Sequence, residues 1–288
     1  MKKTLAFYCF FILFACKKDK IPALLAPFDN GGKVGQIATN PNLAELSGMA
    51  AAAENLHGYW AHSDGGNPDK VFLLDSLGNL LGSNKLKNTS NKDWEDICAG
   101  PGPVSGKRYL YIGDIGDNQT GRDTVCVYRC IEPTVLNTDI SGVEKIALRF
   151  PGGSANAETL MLDPVTLDLF IVTKESRARV FRAKFPYNPL AVNDLEQIAE
   201  LGIEKATGGD ISPDGTEVVI RNKATLFYWK RIQRESFDQI FARQAAELTL
   251  LDEPQGEAIC FNLWATGVLT SSESAGSTVQ PIHFYQKK

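Results

Sequence analysis

Trp94-Glu95-Asp96-Ile97 is the stretch from which the fold can be read, because four others echo it. They are Leu46-Ser47-Gly48-Met49, Ala157-Glu158-Thr159-Leu160, Gly208-Gly209-Asp210-Ile211 and Gly256-Glu257-Ala258-Ile259. Each sets a distinctive residue two positions before an apolar one. With Ser47, Glu95, Glu158, Gly209 and Glu257 as equivalents, the steps along the chain are 48, 63, 51 and 48 residues. That is the size of one four-stranded propeller blade with its loops.

The segment after each stretch repeats as well. A turn leads into a second strand that ends in polar residues: His62-Ser63-Asp64, Gly113-Asp114, Thr173-Lys174-Glu175, Arg221-Asn222-Lys223 and Ser271-Ser272-Glu273. Short β-branched and aromatic runs recur at Lys70, Arg108, Leu169, Glu217 and Thr225, divided by turns such as Pro213-Asp214-Gly215. A single helix is predicted, from about Ser236 to Ala246, on the spacing of Phe237, Ile240, Phe241 and Ala245.

The last repeat is short. Residues 257–288 leave room for three strands, at about 257–262, 266–271 and 281–286, and Lys33 to Thr39 offers the fourth. Closing the ring with strands from both termini removes exposed sheet edges. The expectation is an all-β, five-bladed β-propeller over residues 33–288. A sixth blade could hide in the 63-residue step. An open sandwich or unrelated tandem sheets is the other reading.

The N-terminus carries Lys2 and Lys3, then an apolar run from Leu5 to Phe14. The run is far shorter than the roughly 20 residues that span a bilayer. Leu13-Phe14-Ala15-Cys16 resembles the bacterial lipobox, which implies a signal peptide over 1–15, a lipid on Cys16 and a tether over 16–32. An ordinary secretory signal cut elsewhere is the alternative. Lys17-Lys18-Asp19-Lys20 resembles the export signals of Bacteroidetes surface lipoproteins. The expected location is the cell envelope, lipid-anchored at the outer membrane or cell surface, as a monomer. A formal net charge of −4 without a basic patch excludes a nucleic-acid partner.

Cys98, Cys126, Cys130 and Cys260 are expected to be small buried strand residues. Cys126 and Cys130 share a strand face but lie about 13 Å apart along it, too far for a disulfide. No Cys or His spacing suggests zinc.

In a propeller the innermost strands surround the central axis, so equivalent positions form a ring. Glu95, Glu158 and Glu257 should then face one small volume, with Ser47 beside them. At about 5 Å and an effective dielectric near 20, each carboxylate pair costs roughly 3 kcal/mol. Protonation relieves this, or a cation does. The donors are hard oxygens, which suit Ca²⁺. Alternatively the glutamates bond backbone N–H groups and bind nothing.

These positions resemble the calcium-activated nucleotidases, apyrase-like five-bladed propellers. In that family each blade supplies an inner-strand Ser or Glu around an axial Ca²⁺. Glu45-Leu46-Ser47 matches the first-blade motif, and Glu95, Glu158 and Glu257 occupy the second, third and fifth places. The family's fourth-blade Ser is replaced here by Gly209, so a backbone carbonyl, a water or a rotated Asp210 would have to substitute as the ligand. Asp93-Trp94-Glu95-Asp96-Ile97 and Gly113-Asp114-Ile115-Gly116-Asp117-Asn118 are similar also to uncharacterised secreted bacterial propellers, some phytase- or esterase-like.

The second-strand ends bring Asp64, Asp114, Lys174 and Arg221 toward the same opening. Lys174 and Arg221 are candidates to hold an anionic substrate, and Asp64 or Asp114 to position or deprotonate water. Together with Ca²⁺ this describes hydrolysis of a phosphate ester or anhydride. A structural Lys174–Asp114 salt bridge is the plainer reading. Asp114 to Asn118 has the look of a calcium loop but lacks the remaining ligands of an EF-hand. His62 is the one histidine near the opening, and no Gly-x-Ser-x-Gly elbow is present. The rival to an enzyme is a surface propeller that binds a glycan or protein.

Overall fold

The computed structural model describes residues 24–55, 57–119, 121–276 and 279–288. The lipobox and Cys16 lie outside the described residues. Two short strands, β1 (Leu24–Leu25) and β2 (Gly32–Ile37), precede the first blade. Blade 1 contains β3 (Leu46–Ala51), β4 (Gly58–Ser63), β5 (Lys70–Asp75) and β6 (Leu80–Leu86). Blade 2 contains β7 (Trp94–Pro101), β8 (Arg108–Asp114) and β9 (Val125–Ile131). The chain then leaves β10 (Asp139–Ile140) against β6 and completes blade 2 with β11 (Glu144–Arg149).

Blade 3 contains β12 (Ala157–Leu162), β13 (Leu169–Thr173) and β14 (Arg179–Ala183). A short β15 (Asn193–Asp194) pairs back onto β11 before β16 (Glu196–Glu200) finishes the sheet. Blade 4 contains β17 (Gly208–Ile211), β18 (Glu217–Arg221), β19 (Thr225–Lys230) and β20 (Ala246–Thr249), with α1 (Phe237–Phe241) between the last two. Blade 5 contains β21 (Gln255–Phe261), β22 (Gly267–Glu273) and β23 (Gln280–Gln286), and β2 adds its fourth strand.

The ring therefore closes as expected, with strands from both ends of the chain paired antiparallel, Gln36 opposite Pro281. The innermost strands β3, β7, β12, β17 and β21 pack each against the next and back to the first. Apolar cores fill the spaces between neighbouring blades, centred on residues such as Trp60 and Trp94, Phe181, Trp229, Phe261, and Met49. Burial between blades, rather than covalent cross-links, holds the ring. Cys98, Cys126, Cys130 and Cys260 are all buried free thiols.

Two expectations change, and the alternative of a sixth blade falls away. Among the described residues the long second step holds no sixth blade; its extra residues form the loop after β8 and the excursion through β10. The fold takes in residues ahead of 33, since β1 lies parallel to β20 and Phe28 is buried against Tyr228 at a ring distance of 5.6 Å. The helix is shorter than 236–246. Ser236 and Gln239 form a capping box at its start. At its end, Trp229 Nε1 donates to Arg243 O at 3.0 Å, and the chain enters β20.

Candidate functional site

The residues marked out by repetition share one backbone feature. In β3, β7, β12 and β21 the pairing register slips at Ser47, Glu95, Glu158 and Glu257, so each is the extra residue of a β-bulge. A bulge re-aims one side chain out of the alternation of the strand. The bulges stand at one height and turn the three glutamates to one end of the channel, while Ser47 bonds between blades. In β17 the register runs unbroken through Gly209, opposite Ile220. Blade 4 thus lacks both the carboxylate and the bulge.

Two further positions per blade reach the same mouth. Two residues before each bulge stand Glu45, Asp93, Asn156 and Gln255, and at or just past the end of the facing second strand come Asp64, Lys174 and Glu273. Carboxylate oxygens of Asp64, Asp93 and Glu95 all lie within 4.8 Å of one another. Glycines let the backbone close around them. A Cβ on Gly65 would stand 2.5 Å from Asp93 Oδ1; one on Gly116 would overlap Glu95 Oε1 and lie 2.5 Å from Asp93 Cγ.

Across the mouth, the Lys174 ammonium is ion-paired with Glu158 and lies 3.7 Å from Glu257 Oε1. The plainer Lys174–Asp114 pairing is therefore replaced by a bridge between two ring glutamates. Gln255 Nε2 donates to Glu257 Oε1 at 3.1 Å and to Glu273 Oε2 at 2.9 Å.

Crowding in a dry place sets the electrostatics. Burial, with further repulsion from Asp93, Glu257 and Glu45, pushes the Asp64 carboxyl up to about 6. Burial, then Glu158 and Asp64, drives Glu95 well above the usual carboxylate range, and burial raises Asp93. Glu158 rises to about 7 through burial even though Lys174 pulls it down. Glu273 rises to about 9 through burial and the Glu257 charge. Burial opposes the charge of Lys174, but Glu158 and Glu257 outweigh it and hold the ammonium above its ordinary value. One lysine does not neutralise this group, so the mouth holds protons or attracts a cation.

The structure directs several predicted site residues elsewhere. Ser47 is buried and its hydroxyl donates to Glu95 O at 2.5 Å, a strut between blades 1 and 2. Asp114 pairs with Arg122 at 2.9 Å and accepts from Asp93 N at 3.1 Å, so it sets the position of Asp93 instead of meeting water. Arg221 is wholly buried, 2.8 Å from Glu253 Oε2 and 3.0 Å from Ala258 O, clamping blade 4 to blade 5. It cannot serve as an anion holder at the mouth.

Asp210 accepts from Ile211 N at 2.8 Å and Phe261 N at 2.9 Å. Asp96 does the same with Ile97 N and Leu160 N. Both aspartates are inter-blade ties, and Asp210 does not replace the missing fourth-blade ligand. The Asp117 carboxylate caps Gly121 N and Arg122 N, which turns the suspected calcium loop on itself. His62 is buried edge-on to Trp94, and burial lowers it to about 4.

Asp64, Glu95, Glu158, Lys174 and Glu257 do come together. Asp93 and Glu273 join them; the repeat set Glu273 at a second-strand end, but neither was a predicted site residue. Asp93 precedes β7 and stands two residues before the bulge at Glu95, as Asn156 and Gln255 stand before the bulges of blades 3 and 5. Glu273 is the blade 5 counterpart of Asp64 and Lys174, at the paired end of β22. No family model matches this chain and no curated protein is similar to it, so what is established is a five-bladed β-propeller with a carboxylate-rich channel mouth.

Proposed function

We propose that the channel mouth is a divalent-cation site, with Asp64, Asp93 and Glu95 as its protein ligands and Ca²⁺ as its ion. The observation that carries this reading is the convergence of those three carboxylates within 4.8 Å, with no cation among the described residues placed to neutralise all three. Hard oxygen donors favour Ca²⁺ over a transition metal. Glu158 and Glu257, bound to Lys174, form the rim beside it. In the same proposal Cys16 carries the lipid that tethers a monomeric propeller at the cell envelope.

The chemistry such a mouth supports best is hydrolysis of a phosphate ester or anhydride. The ion, when bound, supplies the positive charge that an anionic group needs in an acidic well. Of the chain's own groups, Lys174 is left to touch the anion and Glu273, protonated near neutral pH, can donate a hydrogen bond to it. A carboxylate oxygen of Asp64 that the ion leaves free is the acceptor suited to take a proton from water.

A second reading has its own support. Lys174 is already engaged by two glutamates and Arg221 is buried, which favours a cation-dependent binding module without catalysis. The test is direct. Terbium luminescence and calorimetry with Ca²⁺ should show a single site that Asp93→Asn and Glu95→Gln each weaken at least about tenfold, which is ~1.4 kcal/mol. A phosphatase and nucleotidase panel, run with Ca²⁺ and then EDTA, should show activity that chelation and Glu95→Gln both remove. Ca²⁺ binding without turnover selects the binding module, and the absence of Ca²⁺ binding rejects both readings.

A further inference from the structure

The face opposite the mouth carries a cleft of different character. It lies where blades 1 and 5 meet and has a volume of about 260 Å³. Tyr59 and Phe284 form part of its floor, and the turn residues His57, Ser76, Asn262 and Trp264 form part of its rim. Among the described residues no Asp, Glu, Lys or Arg lines it.

Three observations mark it as more than a gap between blades. Trp264, in the turn between β21 and β22, leaves 54% of its surface exposed. His57 stands against it at a ring distance of 5.1 Å, held by a left-handed backbone at φ 70°. Histidine enters that region more readily than most residues, and here the turn sets its imidazole against the indole. Tyr59 is 7% exposed, and its hydroxyl has no hydrogen-bond partner among the described residues. The hydroxyl is not among the fully enclosed polar atoms that lack a partner; it opens onto the cleft, where it can meet a ligand.

These groups define the chemistry of the occupant. With no charged group in the lining, neither a phosphate nor an ammonium is recognised. The floor and the indole offer apolar faces, while the Tyr59 hydroxyl, Ser76 hydroxyl, His57 imidazole and Trp264 Nε1 offer polar partners around them. A ligand that matches is neutral, has one apolar C–H face and carries hydroxyls around its edge. We infer that the cleft between blades 1 and 5 binds a neutral sugar ring of a glycan, stacked on Trp264 and hydrogen-bonded by Tyr59. The volume suits one or two rings of a chain entering from solvent.

The tryptophans make the test simple. Trp60 and Trp94 are fully buried and Trp229 is 4% exposed, so Trp264 is the one that a collisional quencher reaches. The probes are neutral α- and β-linked gluco-, manno-, galacto- and xylo-hexaoses. At least one should shield the emission from acrylamide. Trp264→Ala should abolish binding by calorimetry, and Tyr59→Phe should weaken it about fivefold, the worth of one hydrogen bond. Far-UV circular dichroism checks that both variants fold. Asp93→Asn and Glu95→Gln should leave sugar binding unchanged. Failure of every sugar, undiminished binding by Trp264→Ala, or loss of binding in the mouth variants each overturns the inference. Binding of a hydrophobic dye at Trp264 without any sugar instead identifies an apolar docking surface and also overturns it.

Discussion

Replacing Lys174 by methionine isolates the electrostatics of the mouth, because the aliphatic stem stays and the charge goes. In the folded protein Glu158 holds its proton up to about 7, against the usual 4.5, through burial that Lys174 partly offsets. A carboxyl with a raised folded value favours the folded state at low pH and loses that contribution as pH rises through the folded value. Without Lys174 the proton is retained to higher pH. The native state then carries one more proton than the unfolded chain above about 7, where the wild-type curve has levelled off.

Each pH unit in that window lowers stability by about 1.4 kcal/mol. The expected loss from Glu158 is near zero at pH 5 and about 1.4 kcal/mol at about pH 8. For a chain of this size that is a drop in Tm of roughly 3–6 °C. Thermal unfolding of wild type and Lys174→Met at about pH 5 and about pH 8 measures it, with chelator present throughout. An equal drop at both pH values would refute the reasoning, since lost packing does not titrate.

Other perturbations read other parts of the structure. Gly116→Ala places a methyl against the Glu95 carboxylate and near Asp93; it should cost at least about tenfold in Ca²⁺ affinity by calorimetry with little change in Tm. Arg221→Met leaves Glu253 buried without its ion partner, and a loss of about 3–5 kcal/mol is expected in urea unfolding. Wild-type stability in chelator should fall between about pH 5 and pH 9, as the raised carboxyls of Asp64 near 6, Glu158 near 7 and Glu273 near 9 give up their protons in turn. Added Ca²⁺ should reverse that fall, measured as a rise in Tm that is larger at about pH 8 than at about pH 5.

The repeat was readable because rotational symmetry in space is translational periodicity in the chain. Steps of 48 to 63 residues imply blades, and a final blade short of one strand implies closure by the N-terminus, as β2 on β23 shows. The same logic gathered Glu95, Glu158 and Glu257, since equal offsets within repeats land at equal heights. Where the repeat broke, the reading broke. Asp210 sits one step past the equivalent of Glu95, but β17 has no bulge, and its carboxylate ties blade 4 to blade 5.

Position along a strand also does not say what a long side chain meets. Arg221 ends β18 much as Thr173 ends β13, yet Glu253 from the loop before β21 draws it inward. Asp114 is held by Arg122, a residue on a loop peculiar to blade 2. Lys174 finds glutamates from its own blade and from blade 5, across the axis. Periodicity is local and additive, so the primary structure displays it. Ion pairing and desolvation depend on which distant segments arrive at one point, and only the closed ring brings them there.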